Sequence, residues 1–266
     1  MGLEEIIMKN VKKILIFSDL HFPYQDNRAI EVMMEYNKKV YKPTDIVING
    51  DILDFYRLSD FEHNPARKET IQEDINQVKN FFSSLKKYFP RSRIYYLEGN
   101  HENRLQRYLW KNPELISLDV LKLENMLNLK RRKIKFTPVH NDYWKKGTGH
   151  LKLGDTIIMH GDNRANGAKG GKYGCINTMI EMNSNIVMGH NHKLGVNYFT
   201  NLYKNLHALN TGCLCQISGM AQWNQGFVTF EQIKGVSYNH RTHQINDGVL
   251  LADGVKYVSK AKNLPL

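Results

Sequence analysis

Five short apolar runs, at residues 14–17, 45–48, 94–97, 156–159 and 186–188, each stop at a small cluster of polar residues of the kinds that ligate metals. The runs are dominated by β-branched, aromatic and aliphatic side chains and are too short for helices, so they read as buried strands. The clusters that follow are Asp19 and His21; Gly50, Asp51 and Asp54; Gly99, Asn100, His101 and Glu102; His160, Gly161 and Asp162; and Gly189, His190, Asn191 and His192. In open α/β sheets the ligand crevice lies beyond the carboxyl ends of the strands, so residues far apart in sequence can converge there. A glycine directly precedes Asp51, Asn100 and His190, as expected where the backbone must turn sharply and approach a ligand. Carboxylates, imidazoles and a carboxamide without a thiolate suit two divalent cations held by oxygen and nitrogen.

In this order, Asp-x-His, Gly-Asp-x-x-Asp, Gly-Asn-His-Glu, His-Gly-Asp and Gly-His-Asn-His, the motifs resemble the full series of the calcineurin-like metallophosphoesterases. The resemblance spans Asp19 to His192 and implies an α/β fold, an αββα sandwich of two mixed β-sheets flanked by helices. It further implies that Asp19, His21, Asp51 and His192 bind a first metal ion and that Asn100, His160 and His190 bind a second, with Asp51 bridging. His101 would be the general acid and Asp54 the group that orients it. Two cations would neutralise the phosphate and activate a shared water for in-line attack. A carboxylate at Asp51 has two oxygens to place between cations, and an imidazole can protonate a leaving alkoxide near neutral pH. Manganese is the metal expected by resemblance, with iron, zinc and nickel compatible with the same donors.

A chain of 266 residues with 41% hydrophobic and 24% charged residues is long enough for one large α/β domain. The motifs span too much of it for a split, so residues 1–266 are expected to form a single domain, with residues 193–266 completing the second sheet and a tail. No apolar run approaches the ~20 residues of a membrane-spanning helix, and the first ten residues lack the pattern of a secretory signal. The expectation is a cytoplasmic protein without membrane association. Cys175, Cys213 and Cys215 form no disulfide framework. Cys213 and Cys215 lack the second pair of a structural zinc site and are expected as buried thiols in a strand.

Net charge is +11, and residues 104–135 carry nine Lys or Arg against three Asp or Glu, with Tyr108 and Trp110 among them. A basic wall with aromatic side chains beside His101 would suit a nucleic-acid backbone and stacked bases; a solvated helical face with Trp110 packed inward is the plainer alternative. Helices are expected over residues 26–40, capped by Asp26 or Asn27, over 70–88, and over 101–110 and 113–129. The glycine-rich stretch 167–174 lacks the spacing of a P-loop and is expected, with Arg164, to form a cationic rim near the site, a plain flexible loop being the alternative. Arg104 is the other candidate substrate contact.

Reaction class is more legible than substrate. Phe55 and Tyr56 follow Asp54 where protein phosphatases of the resembled family carry Arg-Gly, and only 74 residues follow His192, short for the DNA-capping domain of its repair exonucleases. The positive charge favours a phosphodiesterase or nuclease acting on DNA or RNA. The alternatives are a phosphomonoesterase acting on a phosphoprotein or small nucleotide, for which Glu102 is mild support by resemblance, and a metal-binding or nucleic-acid-binding relative without turnover. Protein partners are not legible.

Overall fold

A computed structural model describes residues 11–138, 149–162 and 173–262. The first sheet has eight strands. Its parallel part runs through β1 (Val11–Phe17), β2 (Asp45–Asn49), β3 (Arg93–Leu97) and β4 (Ile134–Thr137). The second sheet has five: β5 (His150–Leu153), β6 (Thr156–Met159), β7 (Asn185–Met188), β8 (Leu194–Thr200) and β9 (Asn205–Thr211), in the order β5-β6-β7-β9-β8. Strands β10 (Gln225–Ile233), β11 (Val236–Asn246), β12 (Val249–Ala252) and β13 (Val255–Val258) extend the first sheet from β1 by antiparallel pairings. Both sheets therefore mix parallel and antiparallel pairs.

Period-two alternation of apolar residues on these strands builds the layers. Ile14 and Ile16 of β1, Val47 of β2 and Leu97 of β3 face Ile158, Val187 and Leu209 of the second sheet and form the core between the sheets. The alternate residues Leu15, Phe17, Ile46 and Ile48 point the other way, into a core shared with helices α1 (Asn27–Tyr36) and α2 (Ile71–Tyr88) through Met33, Val78 and Phe82. On the far face of the second sheet, Ile157, Ile186 and Ala208 pack on Cys175 and Met179 of helix α5 (Gly174–Met182). Two helical layers thus enclose two sheets, as the resemblance implies.

Caps set both long helices. Asp26 accepts from the N–H groups of Arg28 and Ala29, and Thr70 and Glu73 form a reciprocal capping box, satisfying donors that the first helical turn leaves open. Helix α1 ends at Tyr36 and a π-helical turn, Asn37–Tyr41, continues it. Helix α3 (Asn103–Lys111) overlaps the expected 101–110 but starts two residues later and ends one later, and residues 113–129 do not form one helix. They make 3-10 turns at Pro113–Leu115 and Asp119–Leu121 and a one-turn helix α4 (Leu123–Met126). Ile116, Leu118 and Val120 are exposed there, so no single face is buried to sustain a helix, and Asn125 Nδ2 donates to Asp119 O at 2.7 Å, a local bond that competes with helical pairing.

The end of the chain also departs from expectation. Strands β8 and β9 do complete the second sheet, but Phe227, Val228, Thr229 and Phe230 belong to the first, because β10 pairs antiparallel with β1, Val228 opposite Ile16 and Phe230 opposite Ile14. Alternation in the sequence specifies which residues share a face and is silent on which sheet receives the strand. Among the described residues no helix is long and apolar enough to cross a membrane.

Candidate metal centre

Residues following five strands meet at one edge of the sandwich. Asp19 and His21 follow β1, Asp51 and Asp54 follow β2, Asn100 and His101 follow β3, His160 follows β6, and His190 and His192 follow β7. Asn49 Nδ2 donates to Met159 O at 2.8 Å, and His190 N donates to Asp19 Oδ2 at 3.1 Å, tying the two sheets together at this edge. Five of the candidate ligands, Asp19, His21, Asp51, His190 and His192, have φ between 51° and 64°. A left-handed backbone costs roughly 1 kcal/mol or more for each non-glycine residue, and here it turns the side chains inward from the strand ends.

The neighbouring glycines leave room for this. A Cβ on Gly99 would lie 2.2 Å from Asp51 Oδ1, and one on Gly50, at φ +84°, would lie 2.5 Å from His160 Nδ1. Beneath them lies the fully buried Glu102 carboxylate. It accepts from the N–H groups of Asp51 (2.9 Å), Ile52 (2.6 Å), Leu53 (2.9 Å) and Gly99 (2.8 Å).

Two donor sets result. In the first, His192 Nε2 lies 3.1 Å from Asp19 Oδ1 and 3.2 Å from His21 Nε2, while His21 Nε2 lies 3.8 Å from Asp51 Oδ2. In the second, His160 Nε2 lies 3.1 Å from Asp51 Oδ2 and 3.0 Å from Asn100 Oδ1, and His190 Nδ1 lies 2.8 Å from Asn100 Oδ1. Asp51 Oδ2 is within 4 Å of a nitrogen from each set. His160 Nδ1 is 2.9 Å from Asn49 O, a bond that orients the ring and leaves Nε2 to face Asp51 and Asn100.

These donors fit divalent cations. Asp19 Oδ1 is buried and accepts no hydrogen bond, although two ring nitrogens stand close to it. Carboxylate oxygens and imidazole nitrogens gathered around one point in this way are the donor chemistry of a divalent ion. Asp19, His21 and His192 offer ligand atoms within 4.8 Å of one another, as do Asp51, His160 and His190.

Electrostatics point the same way. Burial works to raise the carboxyl groups of Asp19 and Asp51, but His192 and His21 beside Asp19, and His160 and His101 beside Asp51, hold both well below the usual range. Against its own burial, His160 is pushed up to about 10 by Asp51, and His21 is raised by Asp19 and Asp54. Burial and the adjacent His160 lower His190. The carboxylates remain ionised in a buried site that demands positive charge.

Beside the first set, Asp54 Oδ2 lies 3.3 Å from Nδ1 of both His101 and His21. Burial works to raise Asp54, yet its bonds to His101 and His21 hold it below the ordinary carboxylate range. Arg104 Nη1 donates to Asp54 O at 2.8 Å and Nη2 lies 3.3 Å from His101 Nε2. A cavity of about 250 Å³ opens next to Asn100, lined also by Phe61, Arg104 and Arg107.

All of the candidate ligands, with His101 and Asp54, are brought together. Arg164 and residues 163–172, which hold most of the glycine-rich stretch, lie outside the described residues. The basic stretch is divided: Arg104 and Arg107 reach the cavity, Arg107 and Lys111 both pair with Asp60, and Lys122 pairs with Asp119. Trp110 is 43% exposed rather than packed inward. Sequence reasoning missed Glu102 as the cradle of the Asp51 turn, and it missed Ser18, whose hydroxyl donates to Asp19 Oδ2. Gly50 and Gly99, each directly before a candidate ligand, were the available signal of a tightly packed turn. Cys213 and Cys215 are buried as expected, but sit on isolated bridges past β9 rather than inside a strand.

The family model described as calcineurin-like phosphoesterase matches residues 12–211. No curated protein sequence matches the chain. Among solved structures, Vacuolar Protein Sorting 29 from Cryptosporidium parvum is similar at a TM-score of 0.45 and 14% identity, covering 94% of this chain and 96% of that one. Vps29 from Entamoeba histolytica complexed with zinc has a TM-score of 0.40 and 13% identity, covering 92% and 96%. A conserved protein from Streptococcus pneumoniae described as a predicted phosphoesterase has a TM-score of 0.38 and 12% identity, covering 93% and 96%.

Proposed function

Since the chain belongs to the calcineurin-like phosphoesterase family, we propose that it is a metal-dependent phosphodiesterase that cleaves nucleic acid. The observation that carries the reading is Asp51, whose Oδ2 stands 3.1 Å from His160 Nε2 and 3.8 Å from His21 Nε2, between the two donor sets. Asp19, His21, Asp51 and His192 would hold one divalent cation, and Asn100, His160 and His190, with Asp51 shared, a second. Manganese is the ion expected. Two such cations supply charge neutralisation at a phosphate and lower the pKa of water.

The chain's own residues supply the rest. Asp54 at His101 Nδ1 fixes the ring so that Nε2 faces the centre, where it can hand a proton to the leaving oxygen. Arg104, bonded to Asp54 O, keeps that loop in place and brings a guanidinium to the cavity mouth, where a fixed cation suits a phosphate oxygen. The preference for nucleic acid is supported by Arg107 and the 80% exposed Phe61 on the same cavity, and by the exposed rings of Tyr108 and Trp110. Aromatic faces and guanidinium groups beside a reacting phosphate suit stacked bases and backbone charge.

The test compares manganese-loaded wild type and Asp51→Asn on labelled linear DNA, a chromogenic phosphodiester and the matching monoester, with metal content measured on the same samples. Cleavage of DNA and diester, lost in the variant, is expected. Turnover of the monoester alone would replace this reading with a phosphomonoesterase, and full metal occupancy without hydrolysis of any ester would replace it with a non-catalytic relative.

A further inference from the structure

Two thiols beside the first donor set belong to neither set, and His192 of the first set stands with them. The chain after β9 passes through Cys213, Leu214 and Cys215, and Leu214 N donates to Asp19 O at 3.1 Å. Leu214 enters the core beneath the helices. In an extended segment the residues on either side face the opposite way, and the ligand atoms of Cys213, Cys215 and His192 lie within 4.8 Å of one another.

All three residues are buried, Cys213 at 0%, Cys215 at 3% and His192 at 6% exposure. Nδ1 of His192 is a buried nitrogen without a hydrogen-bond partner, whereas Nε2 faces Asp19 Oδ1 and His21 Nε2. The Trp223 ring stands edge-on to His192 at 3.9 Å between centroids. Two thiols and an imidazole form a donor set different in kind from the mixed oxygen and nitrogen sets around Asp51. Thiolate sulfur selects zinc or cadmium over manganese or magnesium, and three such ligands leave one tetrahedral position for solvent.

We infer that Cys213, Cys215 and His192 form a binding site for a thiophilic divalent cation, separate from the paired donor sets but sharing His192 with the first of them. On binding, the S–H bonds of Cys213 and Cys215 and, with Nε2 engaged by the first set, the Nδ1–H bond of His192 break, and two sulfur–metal bonds and one nitrogen–metal bond form. All three protons go to solvent, including the one Cys213 Sγ directs at Asn224 O, 3.6 Å away. Because one imidazole serves both sites, filling the thiolate site changes the donor that the first site receives, so a zinc or cadmium ion here alters the centre without occupying it.

Cadmium is the probe. Added to manganese-loaded, fully reduced protein, Cd²⁺ is expected to produce ultraviolet thiolate-to-cadmium absorbance that saturates at a single equivalent. That absorbance falls at least about tenfold in Cys213→Ser and in Cys215→Ser, as expected when a soft ligand is replaced by a hard one, and persists in Cys175→Ser. Absence of the absorbance, or its survival in both serine variants, overturns the site. Should either variant fail to fold, the ¹¹³Cd resonance of the wild-type protein decides: a line in the mixed sulfur and nitrogen range supports the site, and lines confined to the nitrogen and oxygen range overturn it. The readouts report sulfur ligation, so they stand or fall independently of whether the enzyme cleaves a diester.

Discussion

The backbone N–H of Asp51 donates to Glu102 Oε2 at 2.9 Å, so a buried carboxylate holds in place the turn that carries the residue shared by both donor sets. Three more N–H groups end on the same carboxylate. Glu102→Ala leaves four buried donors unpaired, each costing roughly 1–3 kcal/mol when unsatisfied. A loss of at least about 3 kcal/mol in denaturant unfolding is expected, with phosphoesterase activity falling in the fraction that remains folded. A loss below about 1 kcal/mol would show that the turn is held by other contacts.

Gly99→Ala tests the same turn from the other side. Its Cβ would meet Asp51 Oδ1 at 2.2 Å and Asp51 N at 2.4 Å, so the carboxylate must move. Displacing a positioned group by about 1 Å costs on the order of 100-fold in rate. Manganese titration followed calorimetrically should show weakened binding in parallel. Wild-type affinity and activity together would mean that Asp51 need not occupy the position seen here.

The strand-end clusters made the centre legible because each ligand follows an apolar run by only a few residues, and strand ends on one edge converge whatever the sheet order. Sheet membership was not legible: β10 is an apolar run buried on both faces like the other inner strands, and only its register with β1 assigns it to the first sheet. Glu102 was hidden for a different reason. Its partners are backbone N–H groups of residues 51–53 and 99, and backbone donors carry no side-chain signature. The His192–Cys213–Cys215 cluster was hidden because a two-cysteine pattern without a second pair reads as two inert thiols, and the histidine that meets it lies 21 residues earlier in the chain.

Acid should weaken the fold through buried histidines on β9 and β11. Burial, with help from Arg241, lowers His243 to about 4, and burial, with help from His240, lowers His207 to about 3. His243 stacks on Phe227 and shares a 2.8 Å hydrogen bond with Thr229. A histidine kept neutral in the fold but titrating near 6.5 when unfolded contributes stability above pH 6.5 that is lost as pH falls toward 4, at most about 1.4 kcal/mol per pH unit. Asp74, pushed up to about 7 by burial and by Asp54, acts in the opposite sense between roughly pH 4 and 7. The difference between wild type and His243→Gln isolates the histidine. Urea unfolding at pH 7.5, 6 and 5 should show the variant losing less stability on acidification, and parallel curves would remove His243 from the account.

Metal should stabilise the folded chain, because the donor sets exist only in the fold. An ion that binds the native state at 100 times its Kd adds about 2.7 kcal/mol per site. Manganese should therefore raise Tm and a chelator should reverse the rise. His192→Ala, which removes the nitrogen 3.1 Å from Asp19 Oδ1, should lose a large part of the shift. An unchanged Tm across saturating manganese in the wild type would count against the donor sets as metal sites.

His101 provides the most discriminating test of chemistry, because a general acid matters in proportion to how poor the leaving group is. Its Nδ1 is 3.3 Å from Asp54 Oδ2 and its Nε2 is 3.9 Å from Asp51 Oδ2, so the ring spans from its orienting carboxylate to the shared ligand. A sugar alkoxide leaves poorly without a proton, whereas p-nitrophenolate leaves readily. His101→Asn should therefore lower kcat on DNA by about 10²–10⁴, and lower kcat on the p-nitrophenyl diester far less. KM should change little on either if the ring acts on the leaving oxygen rather than in binding. Equal losses on both substrates would instead assign His101 to stabilising charge at the phosphate, a role that Arg104, 3.3 Å from its Nε2, would then share.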